Sequence, residues 1–337
     1  PGLPFPVRLD ALSAFCRVLL GGAAFGITVY ASGYFKSMAA GPLALLALPD
    51  GRFLASGGGD RGDLYLFDQD GGRALNPVAR LGTPIYDLAF APDGSLWAAS
   101  GGAELLQLDP TSFEVIGRFG DNLTQALAVD AASGEIYIAS GDGVEIFNPA
   151  TQAFRHFSDL RVDDLAFAPD GKLWASTWPR RGTLVTFDHR GRAQAQLELG
   201  VPLDSLAFGR QGSALEGLLF ASAKTDVNVA GGASLWMIDL RTLRTLQVAS
   251  GGTGAENLLP TAEGRLLVAH SHQVDVIAPI VAPLIETTSP LEQGLALLPM
   301  NELSIRFTQP MLHDNAVQAA SVLNPANFTV KRDGVAV

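Results

Sequence analysis

The chain has 337 residues, 47 % of them apolar, which is enough for one large or two medium domains with a sizeable core. A formal net charge of -11 and a pI near 4.8 would repel a phosphate backbone, so no nucleic-acid partner is expected. The single cysteine, Cys16, excludes an intrachain disulfide and a thiolate metal cluster.

In chain order, the first notable stretch is 18–35, which carries no charge and has about the length of a membrane span. Gly21, Gly22, Gly26 and Gly33 interrupt it and divide it into strand-like pieces, so no membrane span is expected. Residues 7–14, 17–22, 27–31 and 34–39 read as four strands of one degenerate unit. From residue 44 onward the units become regular. Leu-Ala-Phe-Ala-Pro-Asp-Gly stands at 88–94 and again at 165–171. Weaker relatives occupy 46–51, 127–134, 206–212 and 258–264. The closing glycines are Gly51, Gly94, Gly134, Gly171, Gly212 and Gly264, spaced by 43, 40, 37, 41 and 52 residues. A period near 40 residues is the spacing of propeller blades.

Each unit repeats one plan. After the Pro-Asp-Gly type of turn comes a second strand such as Leu-Trp-Ala-Ser, then a polar loop, a third strand ending in Asp or Asn, and usually a more polar fourth strand. Pro presets φ at the turn and Gly accepts a positive φ. A four-stranded unit cannot bury both faces alone, whereas radial stacking buries them against neighbours. The expected fold is all-β: a seven-bladed β-propeller, with six blades as the alternative if residues 7–40 supply strands to the last unit. Trp97, Tyr137 and Trp174 hold one equivalent position and are read as wedges between blades.

These repeats resemble the NHL, YVTN and lactonase-like β-propellers. The tail is different: Thr-Ser-Pro at 288–290, Leu-Ser-Ile-Arg-Phe-Thr-Gln-Pro-Met at 303–311, and Asn-Phe-Thr-Val at 327–330. It resembles the start of a bacterial Ig-like domain of the SbsA type, cut short of a full sandwich. The expected domains are a propeller over 1–282 and an incomplete Ig-like β-sandwich over 283–337. The combination is similar to parts of large bacterial surface or secreted proteins, including Rhs and teneurin-like ones. It implies an extracellular or cell-surface location, a protein or glycan partner, and adjoining domains of the same longer chain.

Candidate chemistry centres on the first strands, which line the channel of a propeller. The polar position before each apolar core reads Asp10, Ala44, Tyr86, Gln125, Asp163, Asp204 and Glu256, and the next position adds Asp87, Asp164 and Asn257. Asp163, Asp204, Glu256 and Asn257 form the candidate metal set, because carboxylates and amides suit a hard cation such as calcium. The resemblance to gluconolactonase-like propellers implies a comparable Glu, Asn and Asp set, although the local motifs do not align. The competing reading is that these side chains cap strands and bond neighbouring blades. His270, His272 and Asp275 make a weaker metal-like group, and Arg61-Gly62-Asp63 reads as ordinary loop chemistry rather than an adhesive tripeptide. No phosphate loop, nucleophile elbow or zinc-protease motif occurs. The function expected is therefore a non-catalytic interaction or scaffolding module. The alternatives are a metal-dependent lactonase-like or lyase-like enzyme, and a shell or plug part of an Rhs-like toxin assembly.

Overall fold

The computed structural model describes residues 42–57, 61–68, 76–177, 182–224, 233–252, 257–270, 273–277, 285–289, 304–307, 331–332 and 335–336. The degenerate unit at 7–40, the uncharged stretch at 18–35, Glu256 and His272 lie outside them. Two compact units divide the chain: Ile27–Pro279, and Pro1–Gly26 with Ile280–Val337.

The larger unit is built of antiparallel strands, with no helix among the described residues. Strands β1 (Pro42–Ala47), β2 (Phe53–Gly57), β3 (Asp63–Phe67) and β4 (Ala79–Arg80) form one four-stranded sheet in that order. Two further sheets repeat the plan. One holds β12 (Val162–Phe167), β13 (Leu173–Thr177), β14 (Thr183–Phe187) and β15 (Ala193–Glu198). The other holds β16 (Leu203–Phe208), β17 (Leu218–Lys224), β18 (Ala233–Asp239) and β19 (Thr245–Gly252). Between the first and these two lie two repeat units fused into one seven-stranded sheet. It runs β5 (Asp87–Phe90), β6 (Leu96–Ala99), β7 (Ala103–Leu108), β8 (Val115–Val129), β9 (Ile136–Ser140), β10 (Gly143–Asn148) and β11 (Ala153–Ser158). The fusion comes from β8, whose first half closes one unit and whose second half opens the next. A last sheet has three strands: β20 (Asn257–Pro260), β21 (Leu266–His270) and β22 (Gln273–Ile277).

The first strands of the units touch in cyclic order. Strand β1 lies beside β5, β5 beside β8, β8 beside β12, β12 beside β16, β16 beside β20, and β20 beside β1. The expectation of seven blades placed a unit between the last sheet and the first. Here β20 lies directly against β1, and Leu45, Phe53 and Tyr65 of the first sheet share one apolar cluster with Leu267, Ala269 and Val274 of the last.

The core is divided among the junctions between units. Leu46 and Leu54 pack with Leu88 and Leu106. Trp97 and Leu105 pack with Ile138 and Phe147, Ala139 and Val144 with Leu165 and Val185, and Trp174 and Leu184 with Leu206 and Ile238. The aromatic wedges lie where the sequence pattern places them. Trp97 meets Phe147 of the next unit at 5.5 Å, Tyr137 meets Phe167 at 5.2 Å, and Trp174 meets Phe208 at 6.0 Å between ring centroids. The second strands carry buried small side chains near their ends, as at Ser56, Ala99, Ala139, Ser176, Ala223 and Ala269. The turn glycines adopt positive φ, as at Gly94 (84°) and Gly171 (82°). Gly191 does more: a Cβ there would meet the Phe157 carbonyl oxygen of the preceding unit at 1.6 Å, so only glycine lets the two units close.

In the smaller unit, β23 (Ile285–Ser289) pairs antiparallel with β24 (Ser304–Phe307), and β25 (Lys331–Arg332) with β26 (Val335–Ala336). Strand β24 is the Ser-Ile-Arg-Phe run read from the sequence.

Candidate functional site at the inner strands

The two strictest copies of the repeat are each preceded by an aspartate, Asp87 and Asp164. Both carboxylates do the same job. Asp164 Oδ1 accepts from the Leu165 amide at 2.8 Å, and Oδ2 accepts from the Leu206 amide of the next unit at 2.6 Å. Asp87 Oδ1 accepts from the Leu88 amide at 2.8 Å, and Oδ2 from the Leu127 amide of its next unit at 3.0 Å. Each side chain therefore joins the first strands of adjacent units through one backbone amide of each. Serines complete the pattern. The Ser176 hydroxyl accepts from the Asp164 amide, while the Ser56 hydroxyl accepts from the Ala44 amide and donates to the Ile85 carbonyl of the next unit at 2.6 Å.

Burial sets the electrostatics of these acids. Desolvation pushes the Asp164 carboxyl up to about 6, against the pull of the Leu206 and Leu165 amides, and the nearby Asp204 charge adds to the rise. Desolvation raises Asp87 well above the carboxylate range, and the charge of Asp164 raises it further. Asp87, Asp164 and Asp204 thus sense one another from β5, β12 and β16.

The proposed metal residues sit one position away. In β12 the pairing shifts between Val162 and Asp164, so Asp163 is the extra residue of a β-bulge. In β16 the shift falls between Leu203 and Ser205, so Asp204 is the extra residue there. Both are half-buried. Asn257 opens β20, opposite Ala269. Among the described residues no three His, Cys, Asp or Glu side chains are grouped as metal ligands. The candidate set gains two equivalent bulge positions from this geometry, and its completion by Glu256 and Asn257 remains a proposal.

Other residues singled out in the sequence have partners within the fold. His270 Nε2 lies 3.1 Å from Asp275 Oδ2 across β21 and β22. The Asp63 carboxylate of Arg61-Gly62-Asp63 is buried, with Arg61 at 2.9 Å and Arg80 at 3.4 Å, so it is not displayed for adhesion. Sequence reasoning grouped Asp87 and Asp164 with the metal candidates as neighbours of the key position. The signal for their bridging role was their place before the two identical seven-residue motifs.

No protein-family model and no curated protein sequence matches the chain. Solved structures do match. The extracellular domain of a proposed one-component system of Bacteroides thetaiotaomicron is 13 % identical with a TM-score of 0.50, covering 78 % of this chain and 44 % of that one. A protein of unknown function from the same bacterium is 13 % identical with a TM-score of 0.58, covering 75 % and 72 %. Virginiamycin B lyase from Staphylococcus aureus is 10 % identical with a TM-score of 0.52, covering 76 % and 99 %. The match spans less than half the length of the first of these proteins. At such identities the likeness concerns the fold, which is propeller-like, and carries no activity with it. No helix among the described residues is long and apolar enough to cross a membrane.

Proposed function

We propose that the chain is a non-catalytic interaction or scaffolding module of a larger extracellular bacterial protein, made of a six-bladed propeller and the start of an Ig-like domain. The observation that carries this reading is the use made of Asp87 and Asp164. The most regularly placed acids of the inner strands are occupied by backbone amides of two blades each, so their chemistry goes into holding the ring. The six-blade count is supported by the contact of β20 with β1. The Ig-like reading is supported by the pairing of β23 with β24, and an extracellular setting by the first-named neighbour. A protein or glycan is the expected partner.

Turnover tests the proposal. The purified chain is assayed with millimolar calcium or magnesium against a lactone panel and against virginiamycin B, the compound in the name of one neighbour. The module reading expects no rate above buffer. Turnover that disappears in Asp163→Asn would replace it with an enzyme.

One observation favours a second reading. Asp163 and Asp204 occupy the same bulge in neighbouring blades, and bulges re-aim side chains near functional sites. Asp163, Asp204, Glu256 and Asn257 could then hold calcium. A cation that binds only the folded chain raises its melting temperature. A rise of several degrees at millimolar calcium, lost in Asp204→Asn, is the expected sign; an unchanged melting temperature removes this reading.

A further inference from the structure

A cavity of about 420 Å³ opens between the two blades that share β8, well within the range of small-molecule sites. It lies away from the channel acids, on the side carrying the Pro-Asp-Gly turns. Its walls are the turns at 91–95, 132–134 and 148–152, and its floor carries Trp97, Gln107 and Phe119. We propose that this cavity binds a short neutral saccharide, of one or two rings. The inference deepens the interaction-module reading, on which it rests, by naming a ligand class and a place.

Lining chemistry selects the ligand. Gln107, Asn148 and Gln152 supply three amide side chains, and Asp93 supplies a carboxylate. The Gln107 and Gln152 amides enter no hydrogen bond among the described residues, so both keep donors and an acceptor for a guest. Paired hydroxyls are the groups that an amide can meet with both its donor and its acceptor. The Phe119 ring, packed 5.7 Å from Trp97, offers an apolar surface for the C–H face of a sugar ring. Among the described residues no Lys, Arg or His lines the cavity, and with Asp93 present and a net charge of -11 an anionic ligand is disfavoured.

The walls are fixed before a ligand arrives. Asp93 Oδ1 accepts from the Ser95 amide and hydroxyl at 2.9 and 2.6 Å, and Ser95 Oγ accepts from Trp97 Nε1 at 2.8 Å. Asn148 Oδ1 accepts from the Ala150 and Thr151 amides at 3.0 and 3.2 Å, which leaves its NH₂ group toward other partners. The same rigidity argues against an extended peptide. A peptide bound by strand addition needs open backbone groups. Here the turn amides of Ala91, Gly94, Gly134 and Gln152 are already bonded to carbonyls of their own turns.

The experiment is saturation-transfer NMR on the whole chain with glucose, galactose, mannose, N-acetylglucosamine, maltose, cellobiose and lactose, each at millimolar concentration. The proposal expects at least one sugar to receive saturation, with affinity weakened about tenfold in the Gln107→Ala, Gln152→Ala double variant. Asp93→Asn serves as a second, milder variant, and circular dichroism checks that both fold. The Asp170→Asn variant, altered at an exposed turn outside the cavity lining, should bind as the parent does. Absence of saturation for every sugar overturns the proposal, as does binding that the double variant leaves intact. Failure here with no turnover in the lactone and lyase assays removes the cavity and leaves the module reading standing; turnover removes the module reading itself.

Discussion

One repeated stretch carries two aspartates with opposite fates. Asp164 and Asp170 are six residues apart, at the inner end of a strand and at its turn, and Asp87 and Asp93 repeat the arrangement. At the inner end, burial dominates and both carboxyls are pushed up in pKa, although each accepts two amides. At the turn, solvent remains close and hydrogen bonds dominate. Lys172 holds Asp170 below its ordinary value, and Ser95 does the same for Asp93. The residue type is the same, and burial at the inner end against hydrogen bonding at the exposed turn decides the sign. The inner acids join blades, whereas the turn acids shape the chain within one blade.

The largest expected effect is at the inner end. Asp164→Ala leaves the Leu206 and Leu165 amides buried without their acceptor, at a cost of about 2–4 kcal/mol. Chemical denaturation at pH 5, where the removed charge matters least, measures it. Ser56→Ala removes one hydroxyl that links two blades, and about 1–2 kcal/mol should be lost. Asp170→Ala comes last, at under about 1 kcal/mol, because water replaces an exposed carboxylate beside Lys172. Equal losses at Asp164 and Asp170 would erase the distinction between the two ends.

Stability against pH sharpens the same contrast. A carboxyl raised to about 6 in the folded chain binds its proton more readily there than in the unfolded chain, whose value is near 3.8. Its contribution therefore grows as pH falls from 7 toward 4. A carboxyl lowered to about 2, as at Asp188 beside Arg192, contributes above pH 4 and loses that contribution as pH falls further. The melting temperature should pass through a maximum near pH 4–5. Asp164→Asn should flatten the neutral limb only, and Asp188→Asn the acid limb only. A melting temperature that falls steadily from pH 7 to pH 5 contradicts this assignment.

Much of the blade plan was legible in the sequence, for a physical reason. Turns such as Pro92-Asp93-Gly94 need particular φ values, and wedges such as Trp97 need bulk, so both leave a residue-level mark. Closure of the ring was less legible. Whether β20 reaches β1 depends on how far each blade turns around the axis, which no single residue records. The channel acids show a finer limit. Asp163 and Asp164 are adjacent, and a bulge sends them to different tasks; a bulge changes pairing without requiring any one residue type. The cavity beside Gln107 and Gln152 was invisible for a related reason, since its walls come from three separate turns, at 91–95, 132–134 and 148–152, that only the folded sheet brings together.

Amide hydrogen exchange at Leu127 and Leu206 tests the bridging role of the inner acids most directly. Both amides should be protected in the parent chain. In Asp164→Ala, Leu206 should lose its protection while Leu127, held by Asp87, keeps it. Unchanged exchange at Leu206 would show that Asp164 does not join the blades and would return it to the candidates for channel chemistry.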